Sequence, residues 1–242
     1  PLRGLARCNG FMTGARLDLG IFLAVLGAAF LHALWNALIK LGTSKVGGMV
    51  ILSIVEVPIG LVVVLFTDAI DRAAIPWVIA AGCTHFAYKF FLSYAYDRGD
   101  LSRVYPIARG GAPMVVALVG AAFLADAVSG RQYLAIAVAR GVFASGEDRQ
   151  LLPFALGSAL ATATYTLIDG MGARVSGSPA AYVAWVFVAD GTFFTLGMIA
   201  LRGWNVIPAG RRAWALGAFA STASYGAYAV SIWAMTFAPI AV

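Results

Sequence analysis

Charge is scarce in this chain. Only 12% of its 242 residues are Asp, Glu, Lys or Arg, about half the 25% usual in a soluble domain. Cysteine is scarcer still. Cys8 and Cys83 are the only two; one precedes the first long apolar run and the other lies inside a later one, so neither a disulfide framework nor a metal motif is implied. His32 and His85 are the only histidines. Two isolated histidines and two separated cysteines supply neither a nucleophile with its base nor a metal cluster at recognisable spacing, so no enzyme activity, metal or cofactor is expected. A basic face on a soluble domain is missing too. The net charge is +6, yet Lys and Arg cluster in short breaks between apolar runs. That pattern fits loops at a membrane surface and argues against a nucleic-acid partner.

Apolar sequence is what the chain has in excess. Hydrophobic residues make up 61% of it, mean hydropathy is +0.86, and the excess runs along the whole length. The expected fold class is therefore all-α, a polytopic membrane protein. Candidate spans are 18–41, 47–67, 75–96, 104–124, 131–145, 151–171, 179–201 and 212–236. The span 131–145 is shorter than the usual 17–25 residues and carries Arg140, which fits a shortened helix ending at the interface. Residues 1–17 read as an N-terminal extension, with Met12 a candidate start. Residues 19–41 are too long and too polar at their C-terminal end for a signal-peptide core, so a retained first helix is expected.

The stretch 18–42 organises the rest. His32, Asn36 and Lys40 are four apart and share one helical stripe, beside a second stripe of Ala29, Ala33 and Ala37 that allows close helix approach. A polar stripe in a membrane helix faces protein or a wet cavity. Trp35 and Tyr165 are expected to line that cavity with His32 and Asn36. In 75–96, His85 and Lys89 share a face, with Tyr88 beside them. They read either as a cavity wall or as a structural bridge in which Lys89 pairs with Glu56 or Asp190.

Glu56 precedes Pro58, which can kink a helix, and Asp190, followed by Gly191, occupies a comparable place in 179–201 if the loop before it is about five residues longer. Either carboxylate could carry a coupling proton, or serve as a fixed counter-ion for Lys89 or Arg109. Arg109 sits among Pro106, Gly110, Gly111 and Pro113 at a loosened helix start, where it would suit a carboxylate or phosphate or else snorkel to headgroups. In 151–171, Thr162, Tyr165, Thr166 and Asp169 fall at helical spacing. In 212–236, Ser221, Ser224, Tyr225, Tyr228 and Ser231 do the same; the serines read as packing groups, while Tyr225 and Tyr228 read as cavity lining. A surplus of Lys and His over carboxylates in the first and third spans points to an anionic or zwitterionic substrate.

Internal echoes give the plan. Leu38-Ile39-Lys40 and Lys45-Val46-Gly47-Gly48 match Leu167-Ile168-Asp169 and Arg174-Val175-Ser176-Gly177 at one offset, and Pro106-Ile107-Ala108 matches Pro239-Ile240-Ala241. Two five-helix halves follow, 18–145 and an incomplete 151–242, with two more helices expected beyond Val242. Odd-numbered halves are oppositely oriented, with a site near the midplane. Lys40 and Asp169, related by the repeat, would then end near opposite mouths of the cavity. Lys and Arg are nearly balanced between the two sides, so no orientation is assigned.

Leu31-His32-Ala33-Leu34-Trp35-Asn36-Ala37, with Tyr105-Pro106-Ile107-Ala108-Arg109 after Gly99-Asp100-Leu101-Ser102, resembles EamA-type members of the drug/metabolite transporter superfamily. The resemblance covers 18–242. It implies ten helices in two inverted EamA-like repeats around a central cavity, and export or import of small metabolites, with no universal catalytic residues. The expected function is a secondary transporter of a small polar or anionic metabolite by alternating access. A non-transporting membrane subunit and a membrane-embedded enzyme stand as alternatives. The expected partners are a small-molecule substrate and the lipid bilayer, with a homodimer left open. The expected location is the bacterial plasma (inner) membrane.

Overall fold

The computed structural model describes residues 19–42, 44–98 and 152–235. Within them the protein is all-α, with six long helices: α1 (Leu19–Leu41), α2 (Lys45–Val64), α3 (Ile75–Arg98), α4 (Leu152–Val175), α5 (Pro179–Arg202) and α6 (Arg211–Met235). Single 3-10 turns, Arg72–Ala74 and Trp204–Val206, precede α3 and follow α5. Six of the eight expected spans thus correspond to described helices. The other two, 104–124 and 131–145, lie outside the described residues, as do Arg109, Arg140, the N-terminal extension and the Pro-Ile-Ala echoes.

Three of the helices, α1 from Phe22, α2 and α5, are long and apolar enough to cross a membrane. The remaining three are of similar length, 24 or 25 residues, or about 36 Å at 1.5 Å per residue. Polar side chains lower their average apolarity, and many of these face inward: Ser158, Thr162 and Asp169 on α4, His85 and Lys89 on α3, and Ser221 on α6 are buried. The outer surface has the opposite character. Phe22, Leu23, Val25, Leu26 and Phe30 of α1, Leu156 and Leu160 of α4, and Phe219 of α6 are all exposed, forming apolar surface of a kind soluble monomers rarely show.

The helix starts follow local chemistry. Ser44 is extended (φ −118°), and its Oγ accepts from the Gly47 N–H at 2.9 Å, capping α2. Ser178 caps α5 in the same way through the Ala181 N–H at 3.4 Å. Such caps satisfy amides that have no partner within the helix. Glu56 follows Ser44 at the same interval as Asp190 follows Ser178. Pro58 lies within α2, which continues unbroken through it.

Contacts at the connections set the helix directions. At one end, Gly47 lies against Pro208, the Arg98 guanidinium sits 4.2 Å from the Phe154 ring, and that of Arg202 sits 4.7 Å from the Tyr94 ring. At the other end, the Asp71 N–H donates to the Ser176 carbonyl at 2.9 Å. Helices α1, α3 and α5 therefore run toward the first end, and α2, α4 and α6 toward the second. Each of the first three runs opposite to its counterpart among the last three. α1 packs chiefly on α6, α2 on α5 and α3 on α4, with secondary contacts of α3 on α5 and α2 on α6.

α2 and α5 approach closely, with glycines at the contact. A Cβ on Gly191 would stand 2.5 Å from the Ser53 carbonyl oxygen, and one on Gly60 would stand 2.6 Å from that of Ala184. Buried apolar side chains form two clusters, one toward each end, that meet at the cavity through Trp35, Leu52 and Tyr88 on one side and Phe187 and Ile232 on the other. One cluster includes Ile39, Val46, Tyr96 and Met198, the other Ala74, Val78, Tyr182 and Val183. Between them lies a polar middle.

Candidate functional site

Lys89 forms the centre of that middle. It is 4% exposed, and an ammonium so placed needs compensating charge. Its Nζ donates to Glu56 Oε2 of α2, lies 2.7 Å from Asp190 Oδ2 of α5, and donates to Ser53 Oγ at 3.0 Å. Three helices are thereby tied at one atom. The α2–α5 approach at Gly191 and Gly60 brings both carboxylates within reach of one side chain.

One turn earlier on α3, His85 Nε2 stands 2.9 Å from Asp169 Oδ2 of α4, and Nδ1 stands 3.9 Å from Asp190 Oδ2. The Tyr182 hydroxyl donates to Asp169 Oδ1 at 3.4 Å. Aromatic rings fix the imidazole plane: Tyr165 stacks on it at 4.2 Å between centroids, and Tyr228 meets it edge-on at 5.4 Å. His85, Asp169, Asp190, Tyr165 and Tyr228, with His32, Trp35 and Tyr88, border a cavity of about 210 Å³. That is below the roughly 300–1,000 Å³ of pockets for drug-sized ligands, so the cavity suits a compact molecule.

The structure thus gathers His32, Trp35, Glu56, His85, Tyr88, Lys89, Tyr165, Asp169, Asp190 and Tyr228 around one space. Asn36, Lys40 and Tyr225 are not at its wall. Asn36 is consumed in packing: its Nδ2 donates to the His32 carbonyl at 2.7 Å, and its Oδ1 accepts from the Tyr96 hydroxyl at 2.7 Å. The stripe on α1 does share a face, but each four-residue step advances about 6 Å along the axis. Only His32 is at cavity depth; Lys40 is near the end of α1, where its carbonyl accepts from Lys45 Nζ at 2.7 Å. Tyr225 packs edge-on against Phe187 at 4.9 Å. Asp169 is fully buried and bound to His85, so it does not end at a mouth.

The surplus of Lys and His in α1 and α3 is offset, among the described residues, by carboxylates from other helices. α1 and α3 contribute His32, His85 and Lys89, but α2, α4 and α5 bring Glu56, Asp169 and Asp190 to the same cavity. Ser53, Tyr96 and Tyr182 were not among the expected site residues; each acts as a donor or acceptor to one that was, and of the three only Tyr96, on the helical face of His85 and Lys89, was marked by the sequence. Tyr96→Phe is expected to lower stability by about 1–3 kcal/mol, the cost of leaving the buried Asn36 Oδ1 acceptor unsatisfied. Thermal unfolding in detergent would measure it, and cavity binding should be unchanged.

No protein-family model matches the chain, and no curated protein matches it either.

Proposed function

We propose that the chain is an integral membrane secondary transporter. On this reading a small polar metabolite occupies the central cavity, and alternating access arises as α1–α3 and α4–α6 rock against one another. The observation that carries it is the exchange symmetry around the cavity. Swapping α1, α2 and α3 for α4, α5 and α6 maps the main helix pairs onto one another and reverses every helix direction. Inverted repeats with a binding site between them have this form. The membrane setting is supported by three helices of spanning length and apolarity and by an apolar exterior around buried charge. In the expected ten-helix plan the two halves are EamA-like repeats. Glu56 and Asp190, related by position and meeting at Lys89, are the coupling-proton candidates.

A non-transporting subunit with structural ion pairs would account for the Lys89 bridge, but it gives no reason for the cavity. Counterflow in proteoliposomes separates the two. The full chain would be offered radiolabelled small amines, amino acids and carboxylic acids. Accumulation of at least one above protein-free liposomes, falling at least tenfold on His85→Leu, is expected. Folded protein that moves no compound of any class would overturn the transport reading.

A further inference from the structure

We infer that the central cavity is a cation site whose ligand is a compact ammonium or guanidinium compound. This deepens the transport reading by naming the class of its cargo, although binding does not depend on transport. Among the described residues, three carboxylates, Glu56, Asp169 and Asp190, border the cavity with one ammonium, Lys89. All three are at most 2% exposed. With all three carboxylates ionised, the set keeps one negative charge in excess when His85 is protonated and two when it is neutral. Uncompensated charge in such a place is costly, so the excess is neutralised by a proton on Glu56 or Asp190 or by a bound cation, and the two compete.

One atom marks where that cation would bind. Asp190 Oδ2 is engaged by Lys89, while Asp190 Oδ1 is buried and without a hydrogen-bond partner. Asp190 also borders the cavity, so a donor entering there meets a vacant acceptor. The remaining wall suits the same ligand. Trp35, Tyr88, Tyr165 and Tyr228 border it, and aromatic faces attract ammonium and guanidinium groups. An anion would instead face three carboxylates, with Lys89 already held by two of them.

The inference can be tested on the purified full chain in detergent. Tetramethylammonium, methylammonium and guanidinium chlorides would be compared with sodium acetate and sodium methylphosphonate at matched ionic strength. A ligand that binds only folded protein raises the unfolding temperature. At least one of the cations should do so, the anions should not, and Asp190→Asn should weaken that cation's apparent Kd at least tenfold. A second readout uses the unsubstituted protein. A hydrophobic carbodiimide should modify Glu56 or Asp190, as mapped by peptide mass, and the effective cation should slow that labelling severalfold.

Stabilisation by the anions alone, no effect of any of the three cations in either readout, or unchanged cation affinity in folded Asp190→Asn would each overturn the cation site. Binding without counterflow would leave the cation site standing and remove the transport reading. Counterflow of carboxylic acids alone, without cation binding, would do the reverse.

Discussion

Lys89→Met should be the most damaging single substitution in the described helices, lowering stability by about 3–5 kcal/mol, the range for breaking a buried ion pair by removing one partner. The side chain is close in length and apolar, so packing is nearly kept and the loss is electrostatic. Glu56 and Asp190 would be left close together between α2 and α5, buried and without the ammonium that both contact. That is a large part of the roughly 5–15 kcal/mol separating a typical fold from its unfolded state. Denaturant-induced loss of helical ellipticity in detergent would measure it. Adding Glu56→Gln and Asp190→Asn to Lys89→Met should restore much of the lost stability, because the charges go together. Near-native stability of the single variant would show that the three-helix tie is not structural.

The spacing of polar residues was readable, and the meeting of helices was not. His85 and Lys89 declare a shared face by their four-residue separation, and the cost of intramembrane charge points to partners. Pairing of Lys89 with Glu56 or Asp190 could be anticipated as a pair of options; the structure has both at once. Asp169 was visible as the end of a stripe, but its pairing with His85 depends on α3 packing against α4, which no local pattern encodes. Depth along the axis was the other gap. Asn36 and Lys40 lie on the right stripe, yet at the wrong height for the cavity. Tyr182 sits in the run Tyr182-Val183-Ala184-Trp185, which looks like ordinary apolar helix until Gly172 admits its ring and Asp169 takes its hydroxyl. The apparent cationic surplus came from counting within helices, whereas the charge balance of the cavity is set between them.

Gly191→Ala should destabilise the protein by about 1–3 kcal/mol, the cost of overpacking a filled contact, and should weaken cavity function more than that loss alone explains. Its Cβ would fall 2.5 Å from the Ser53 carbonyl oxygen and 2.8 Å from Val57 Cγ2. Backbone oxygen cannot rotate away, so α2 and α5 must separate. Separation acts directly on the ion network, since Ser53 and Glu56 lie on α2 and Asp190 is the neighbour of Gly191 on α5. Lys89 would then lose simultaneous contact with both carboxylates. Gly27→Ala is the matched control: nothing lies within 4 Å of its added Cβ, and Ala is the better helix former by up to about 1 kcal/mol. It should be neutral or stabilising. Unfolding midpoints for both variants, alongside cation affinity, decide between two uses of the α2–α5 contact. If it only packs, Gly191→Ala lowers the midpoint and leaves affinity intact in the folded fraction. If it holds the two carboxylates in register around Lys89, affinity falls in the folded protein too.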